Sequence, residues 1–304
     1  MQELDLRLPH VETGGRELCV CYSVLLQRAS QYNLLAFRPM VEGEEVNHMS
    51  LVSGWGRESF PYREEGRVLG RRQGGGREGG EVWDREAREC STGAGSSSGQ
   101  WQKLGPRTLY IWGRGAGGLQ LPAGVAVHVG AGERLVLQVH YRAGAGGGRA
   151  GVKVLYTEEE VEARAGILSL HAGGVLPPGS DASLEAGCPL LGRQALQPLA
   201  FLVHTHSLGT SAGLWRREAG SSREAAVGQA SPQAPQAWRG VQEDSALLQG
   251  DTLVARCTFH NSGNNSVVTG PSRDKEMCAV YLLYTSMEPY RLAHMAYCLR
   301  APVG

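Results

Sequence analysis

Residues 198–209 read PLAFLVHTHSLG. The apolar run Pro198–Val203 predicts a strand, and side chains along a strand alternate faces. His204 and His206 are therefore expected to point one way and Thr205 the other. The two imidazoles would lie about 6–7 Å apart along the strand. Two nitrogen donors at that spacing can converge on one ion, or they can form a hydrogen-bonded pair at a strand end. What surrounds them has to decide.

The rest of the chain reads as strand almost throughout. Cys19–Leu26, Tyr32–Phe37, Thr108–Trp112, Val125–Val129, Arg134–Tyr141, Gly151–Tyr156, Thr252–His260 and Met277–Thr285 are rich in Val, Leu and Tyr. They are bounded by Gly, Pro, Asp or Ser, the mark of short strands separated by turns. Helical periodicity is absent, apart from one short turn expected at Glu158–Arg164. The fold class this predicts is all-β, with two tandem antiparallel β-sandwich or jelly-roll-like domains. The acidic stretch TEEEVE places the joint near Tyr156–Glu162, giving domains 1–157 and 158–304, each of ordinary size. Two stretches read as loops: residues 66–102, which include GRRQGGGREGG and STGAGSSSGQ, as a long mobile excursion, and residues 219–237.

Bulk composition narrows the partners. Thirty Lys and Arg balance thirty Asp and Glu, so net charge implies no nucleic-acid partner. No run approaches the ~18–20 apolar residues of a membrane span. Met1–His10 (MQELDLRLPH) lacks the apolar segment of a signal peptide, so the chain is expected to be cytosolic or to begin inside a longer precursor. Seven cysteines, Cys19, Cys21, Cys90, Cys188, Cys257, Cys278 and Cys298, form no CxxC pair, which argues against structural zinc. Scattered along strands, they fit disulfides with one left over. The triplet Asn264-Asn265-Ser266 is compatible with a secretory route. On balance the expected location is oxidising: the secretory pathway or the extracellular space.

Three further segments carry candidate donors. His140 ends RLVLQVHYR, on the face shared with Val136 and Gln138. His48 lies in VNHMS after the acidic turn Glu42–Glu45, and Met277 opens the apolar strand of DKEMCAVYLLYTS. Singly, each has a plain reading as a satisfied strand-end histidine or a core methionine. Taken in chain order, VNHMSL, TLYIWGRGAGGLQLPAGVAVHVG, LVLQVHYR, LAFLVHTHSLG and RDKEMCAVYLLY resemble the ascorbate-dependent type II copper monooxygenases, most closely their peptidylglycine-hydroxylating branch. The resemblance runs from LDLRLPHVET to AHMAYCLR.

That resemblance implies two β domains across a water-filled cleft, each with one copper. The C-terminal copper would be held by His204, His206 and Met277 and would bind and activate dioxygen. Imidazole suits copper, and a thioether favours Cu(I). The N-terminal copper would be an electron reservoir filled by ascorbate, with His48 and His140 as ligands. At the first position of the family's histidine pair this chain has Asn47, whose amide oxygen is a harder, weaker donor, so copper there is expected to be weak or altered. Met49 is expected to face away. In the substrate site, the family's carboxylate-gripping Arg and its Asn are Leu202 and Ala279 here; only Tyr281 remains. Each lost charge-assisted bond is worth ~1.5–3 kcal/mol. Arg273 could reach in, but reads more simply as a solvated loop charge. The implied disulfides are Cys188–Cys298, Cys257–Cys278 and Cys21–Cys90. A further family partner after NHMSLV is replaced by Gly54 or Trp55, which leaves Cys19 over as a buried, inert thiol.

Three functions follow as expectations. The first is hydroxylation of the α-carbon of a C-terminal glycine in peptides, the first step of peptide amidation, with two coppers, ascorbate and dioxygen. The second is the same chemistry on a different, non-carboxylate substrate. The third is a catalytically degenerate copper-binding scaffold. A lyase that releases the amide would have to be supplied separately.

Overall fold

A computed structural model describes residues 1–26, 31–43, 45–54, 90, 107–144, 148–192, 195–242, 246–270 and 274–286, and the backbone alone of 68–73, 84–89 and 297–299. Every regular element among the described residues is a strand, as the turn-punctuated sequence predicts. The chain divides into two compact units, Met1–Arg164 and Ala165–Gly304.

Unit 1 holds β1 (Gln2–Arg7), β2 (Leu18–Leu25), β3 (Gln31–Val41), β4 (Val46–Gly54), β5 (Val68–Gln73), β6 (Asp84–Glu89), β7 (Arg107–Gly113), β8 (Leu119–Gln120), β9 (Val125–Gly130), β10 (Arg134–Tyr141) and β11 (Ala150–Thr157). One sheet runs β1-β11-β3-β9, with β8 on β3; the other runs β5-β6-β2-β10-β4-β7. The rings of Phe37 on β3 and Tyr110 on β7 stack at 5.0 Å, so the two sheets meet face to face. Leu6, Val127, Leu135, Leu137, Val152 and Val154 are almost fully buried. Each such side chain contributes ~1.5–3 kcal/mol relative to exposure. The β9–β10 turn needs Gly132, at φ 83°, a conformation L side chains rarely adopt. The Glu133 carboxylate closes that turn, accepting from Gly130 N at 2.9 Å and pairing with Arg107 at 2.9 Å.

Unit 2 holds β12 (Ala163–Ala172), β13 (Val175–Leu176), β14 (Ser180–Pro189), β15 (Gln197–His204), β16 (Gly209–Arg217), β17 (Glu224–Ala230), β18 (Arg239–Gly240), β19 (Thr252–Asn261), β20 (Val267–Val268), β21 (Cys278–Ser286) and β22 (Tyr297–Leu299). One sheet runs β12-β21-β15-β18, with β22 on β12; the other runs β14-β19-β16-β17; β13 and β20 form a separate pair. Leu168, Leu170, Phe201, Val203, Val280 and Leu282 of the first sheet share a core with Leu214, Leu253, Ala255 and Phe259 of the second. The Cys257–Cys278 disulfide joins β19 to β21 and so staples the two sheets, with Cα atoms 5.8 Å apart.

Three expectations are corrected. The stretch 66–102 is not one excursion: it contains β5 and β6, which extend a sheet outward from β2. Their sequences, VLGRRQ and DREARE, are charged and so do not read as apolar strands. The stretch 219–237 contains β17, EAAVGQA, whose small residues have weak strand propensity and which is held by pairing with β16. At Glu158–Arg164 there is no helical turn. The backbone stays open, its carbonyls at Glu158 and Glu159 taken by Gln31 and Asn33 at 3.0 and 2.7 Å, and β12 has begun by Ala163.

Candidate metal centres

In unit 2 the register of β15 against β21 sets Leu202 opposite Tyr281 and His204 opposite Ala279. Residues directly opposite in an antiparallel pair share a face. Phe201, Val203, Val280 and Leu282 line the core, so Leu202, His204, Ala279 and Tyr281 take the other face of the sheet. His171 on β12 meets the Tyr281 ring edge-on, at 5.8 Å between centroids. Burial pushes the His171 imidazole down to about 4, so it is neutral at physiological pH. Leu202 and Ala279 bring no charge to this face. Arg273 lies outside the described residues.

β15 ends at His204, so strand alternation does not place His206. Contacts across the chain do. The carboxylate of Glu276, which is almost fully buried, accepts Leu208 N at 2.7 Å on one oxygen. Its other oxygen accepts both His206 N at 3.0 Å and Met277 N at 3.1 Å. One oxygen atom thus ties the backbone of His206 to that of Met277, seventy-one positions apart in sequence. His206 Nδ1 donates to Lys275 O at 2.8 Å, which leaves Nε2 as the lone-pair nitrogen. His204 Nδ1 faces the Gln236 side-chain oxygen in the same manner. The two rings stand edge-on, 5.4 Å between centroids. Thr205 is buried rather than turned to solvent. It sits where any side chain at position 209 would collide with it, its Cβ lying 2.6 Å from a Cβ built on Gly209. Gln233 braces the segment by donating to Gly209 O at 2.7 Å.

Orientation of each imidazole by a hydrogen bond at the opposite nitrogen is how metal-ligating histidines are prepared. The donor set of two such imidazoles and a thioether suits copper. Glu276, Gln233 and Gln236 are the residues the sequence reading missed. Glu276 adjoins Met277 but looks like an ordinary acid at a loop end, and nothing local marks two glutamines in a proline-containing loop.

In unit 1 the second cluster forms a row across three strands. Cys19 on β2 lies opposite His140 on β10, and His140 lies opposite His48 on β4. The His48 and His140 rings stack at 4.0 Å between centroids, 17° from parallel. Cys19 Sγ is 3.4 Å from His140 Nε2. Asn47 has no partner residue on β10, because the register slips there: His140 faces His48 and Tyr141 faces Val46. Such a bulge re-aims side chains next to functional sites. Met49 is fully buried opposite Val139.

The cysteines are only partly as expected. Cys188 is disulfide-bonded, while the side chain of Cys298 and all of Trp55 lie outside the described residues. Cys90 lies against both Cys21 and Cys19, with Cα separations of 5.2 and 5.3 Å, and can bridge only one of them. Cys19 is therefore not a bystander: it belongs to a buried group in which the three sulfurs lie within 4.8 Å of one another.

A β-sandwich thus carries a histidine pair, each ring oriented from behind, with the backbone of Met277 tied to that of His206. Residues 163–302 match the family described as copper type II ascorbate-dependent monooxygenase, C-terminal domain. The chain is similar to peptidyl-glycine alpha-amidating monooxygenase A of Xenopus laevis, 30% identical over 296 residues, covering 92% of this chain and 28% of that protein. It is also similar to peptidylglycine alpha-amidating monooxygenase of Rattus norvegicus, 28% identical over 308 residues, covering 96% of this chain and 28% of that protein. The chain thus spans under a third of the length of these curated relatives. A solved structure of infectious bursal disease virus, Gt strain, is similar at 10% identity and a TM-score of 0.25, covering 97% of this chain and 72% of that chain, too weak a likeness to carry an argument.

Proposed function

We propose that the chain is a copper- and ascorbate-dependent monooxygenase that hydroxylates the α-carbon of a C-terminal glycine in peptides. The observation that supports this reading is the single Glu276 oxygen shared by His206 N and Met277 N, which ties the backbones of these two candidate ligands. His204, His206 and Met277 would hold one copper, and His48 and His140, with Asn47 beside them, a second. Copper bound there would supply one-electron transfer and dioxygen activation, with ascorbate as reductant. The protein's part is positioning. Lys275 O and Gln236 fix the tautomers, Glu276 sets the backbone, and the Tyr281 hydroxyl is the group that would hydrogen-bond substrate. A lyase for the second step of amidation would be a separate partner. The Cys257–Cys278 bridge supports a secretory or extracellular location, where disulfides persist.

A second reading is favoured by Leu202 and Ala279. Without charge on that face, and with neutral His171 against Tyr281, a substrate lacking a carboxylate fits the same chemistry. Ascorbate-driven oxygen uptake with a glycine-extended peptide, compared with its amide analogue, tests both. Uptake favouring the free acid supports peptidylglycine, and equal or better uptake with the amide supports the second reading. No uptake with copper bound would leave a degenerate scaffold and refute the enzyme.

A further inference from the structure

We infer that Asn264 is an N-glycosylation site and that its glycan covers the exposed valines of the β13–β20 ribbon. The inference goes beyond the copper reading and shares with it only the secretory or extracellular location. The chain has five asparagines, and Asn264-Asn265-Ser266 is its one Asn-x-Ser/Thr triplet. Sugar transfer to such a triplet needs a surface segment in a chain that enters the secretory route. The structure meets the first requirement. Residues 262–266 connect β19 to β20, and every one of them is exposed. The Cys257–Cys278 bridge speaks for the second.

A neighbouring amide builds this turn. Asn261, at the end of β19, is buried. Its Nδ2 is shared among Leu176 O, Pro177 O and Asn265 O at 3.2, 3.0 and 3.0 Å, and its Oδ1 accepts Gly263 N at 3.1 Å. Gly179 N donates to Gly263 O at 3.1 Å. Asn261 therefore holds the turn from inside, and Asn264 lies on its outer surface. Leu176 and Asn265 meet at one amide, so the turn stands at the end of the β13–β20 ribbon. In that ribbon Leu176 and Val267 pack on the core. Val175 lies opposite Val268 on the other side, and the two are 56% and 45% exposed. Two exposed aliphatic side chains side by side form an apolar surface, and Val268 is four positions from Asn264. A bulky hydrated glycan anchored there solvates it.

The transfer requires one co-reactant, a lipid-linked oligosaccharide diphosphate. The bond between the first sugar carbon and the phosphate oxygen breaks. Asn264 Nδ2 forms the new C–N bond and gives up one proton, and the lipid diphosphate leaves. Nothing is oxidised or reduced.

The test is mass spectrometry of the full chain purified from the cells that make it, before and after peptide-N-glycosidase, with the Cys257–Cys278 bridge mapped in the same digest. The expected results are a glycopeptide at Asn264, its conversion to aspartate by the enzyme, and an intact bridge. Returned to the same cells, Asn264→Gln and Ser266→Ala each lose the glycan. Ser266→Thr and Asn265→Gln keep the triplet and retain it, which separates loss of the acceptor from loss of the fold. Removing the glycan should raise binding of a dye that fluoresces on apolar surfaces, and Val175→Thr with Val268→Thr should abolish that rise. Dye binding unchanged by deglycosylation would overturn the covering role. An unmodified Asn264 in a chain with the bridge formed would overturn the site and leave the copper reading intact. An unmodified Asn264 with Cys257 and Cys278 reduced would overturn the secretory location and the glycan together.

Discussion

The two candidate centres are built by opposite means. In unit 1 the candidate donors sit on neighbouring hydrogen-bonded strands, so the sheet itself brings His140 and His48 together. In unit 2 only His204 lies on a strand; His206 and Met277 stand in connecting segments and are drawn together by a buried carboxylate. A row on a sheet tolerates the exchange of one donor, because neighbouring strands offer other side chains at the same spot. A centre tied through one carboxylate does not.

The largest expected effect lies in unit 2. Glu276→Ala leaves three backbone N–H groups without their acceptor, at ~1–3 kcal/mol for each one buried, and should destabilise unit 2 by roughly 3–5 kcal/mol. Urea unfolding measures this, and copper content should fall in unit 2 alone; Glu276→Gln, which keeps one acceptor, should lose less. If the variant unfolds at the same midpoint and retains copper, the carboxylate does not organise the centre.

Acid should expose a second difference. His171 has a folded value of about 4 against an ordinary 6.5, so between those values the unfolded chain binds a proton that the folded chain refuses. Its contribution is intact above pH 6.5 and is lost as pH falls towards 4, by about 3 kcal/mol at most. His171→Phe should flatten that part of the stability profile of unit 2. An unchanged slope would mean that the imidazole is already solvated.

Next in size is Gly209→Ala. The added methyl meets the Thr205 side chain, and overpacking of this kind costs ~1–3 kcal/mol. Its melting temperature should drop, whereas alanine at Gly14 or Gly15, whose surroundings are open, should cost only the strain of a positive φ. The smallest change in stability is expected for Asn47→His in unit 1, within ~0.5 kcal/mol. Its effect should be on copper: tighter retention, measured by competition with a Cu(I) chelator. No gain in retention would mean that position 47 does not face the centre.

Much of this was legible in the sequence because the informative patterns are short and local. The turn-bounded apolar runs pointed to the all-β class, and HTHSLG with EMC marked the unit 2 segments that Glu276 ties together. What was not legible depends on distant partners. Glu276 serves residues about seventy positions upstream, and Gln236 reaches back thirty-two positions to His204. Neither type of contact leaves a periodic trace. β5, β6 and β17 were read as loop because their charged, small and glycine residues mimicked turns, while what holds each of them is pairing with a neighbouring strand. Cys19 was set aside because sequence counts cysteines in pairs, while the fold brings three together.

The most direct check on the central claim is a crystal structure of the copper-loaded chain with anomalous scattering collected at the copper edge. The account predicts a peak in unit 2 bonded to His204 Nε2, His206 Nε2 and Met277 Sδ, with Glu276 still accepting from His206 N and Met277 N. A unit 2 with no peak, or with copper bound to the histidines while Met277 points elsewhere, would contradict it.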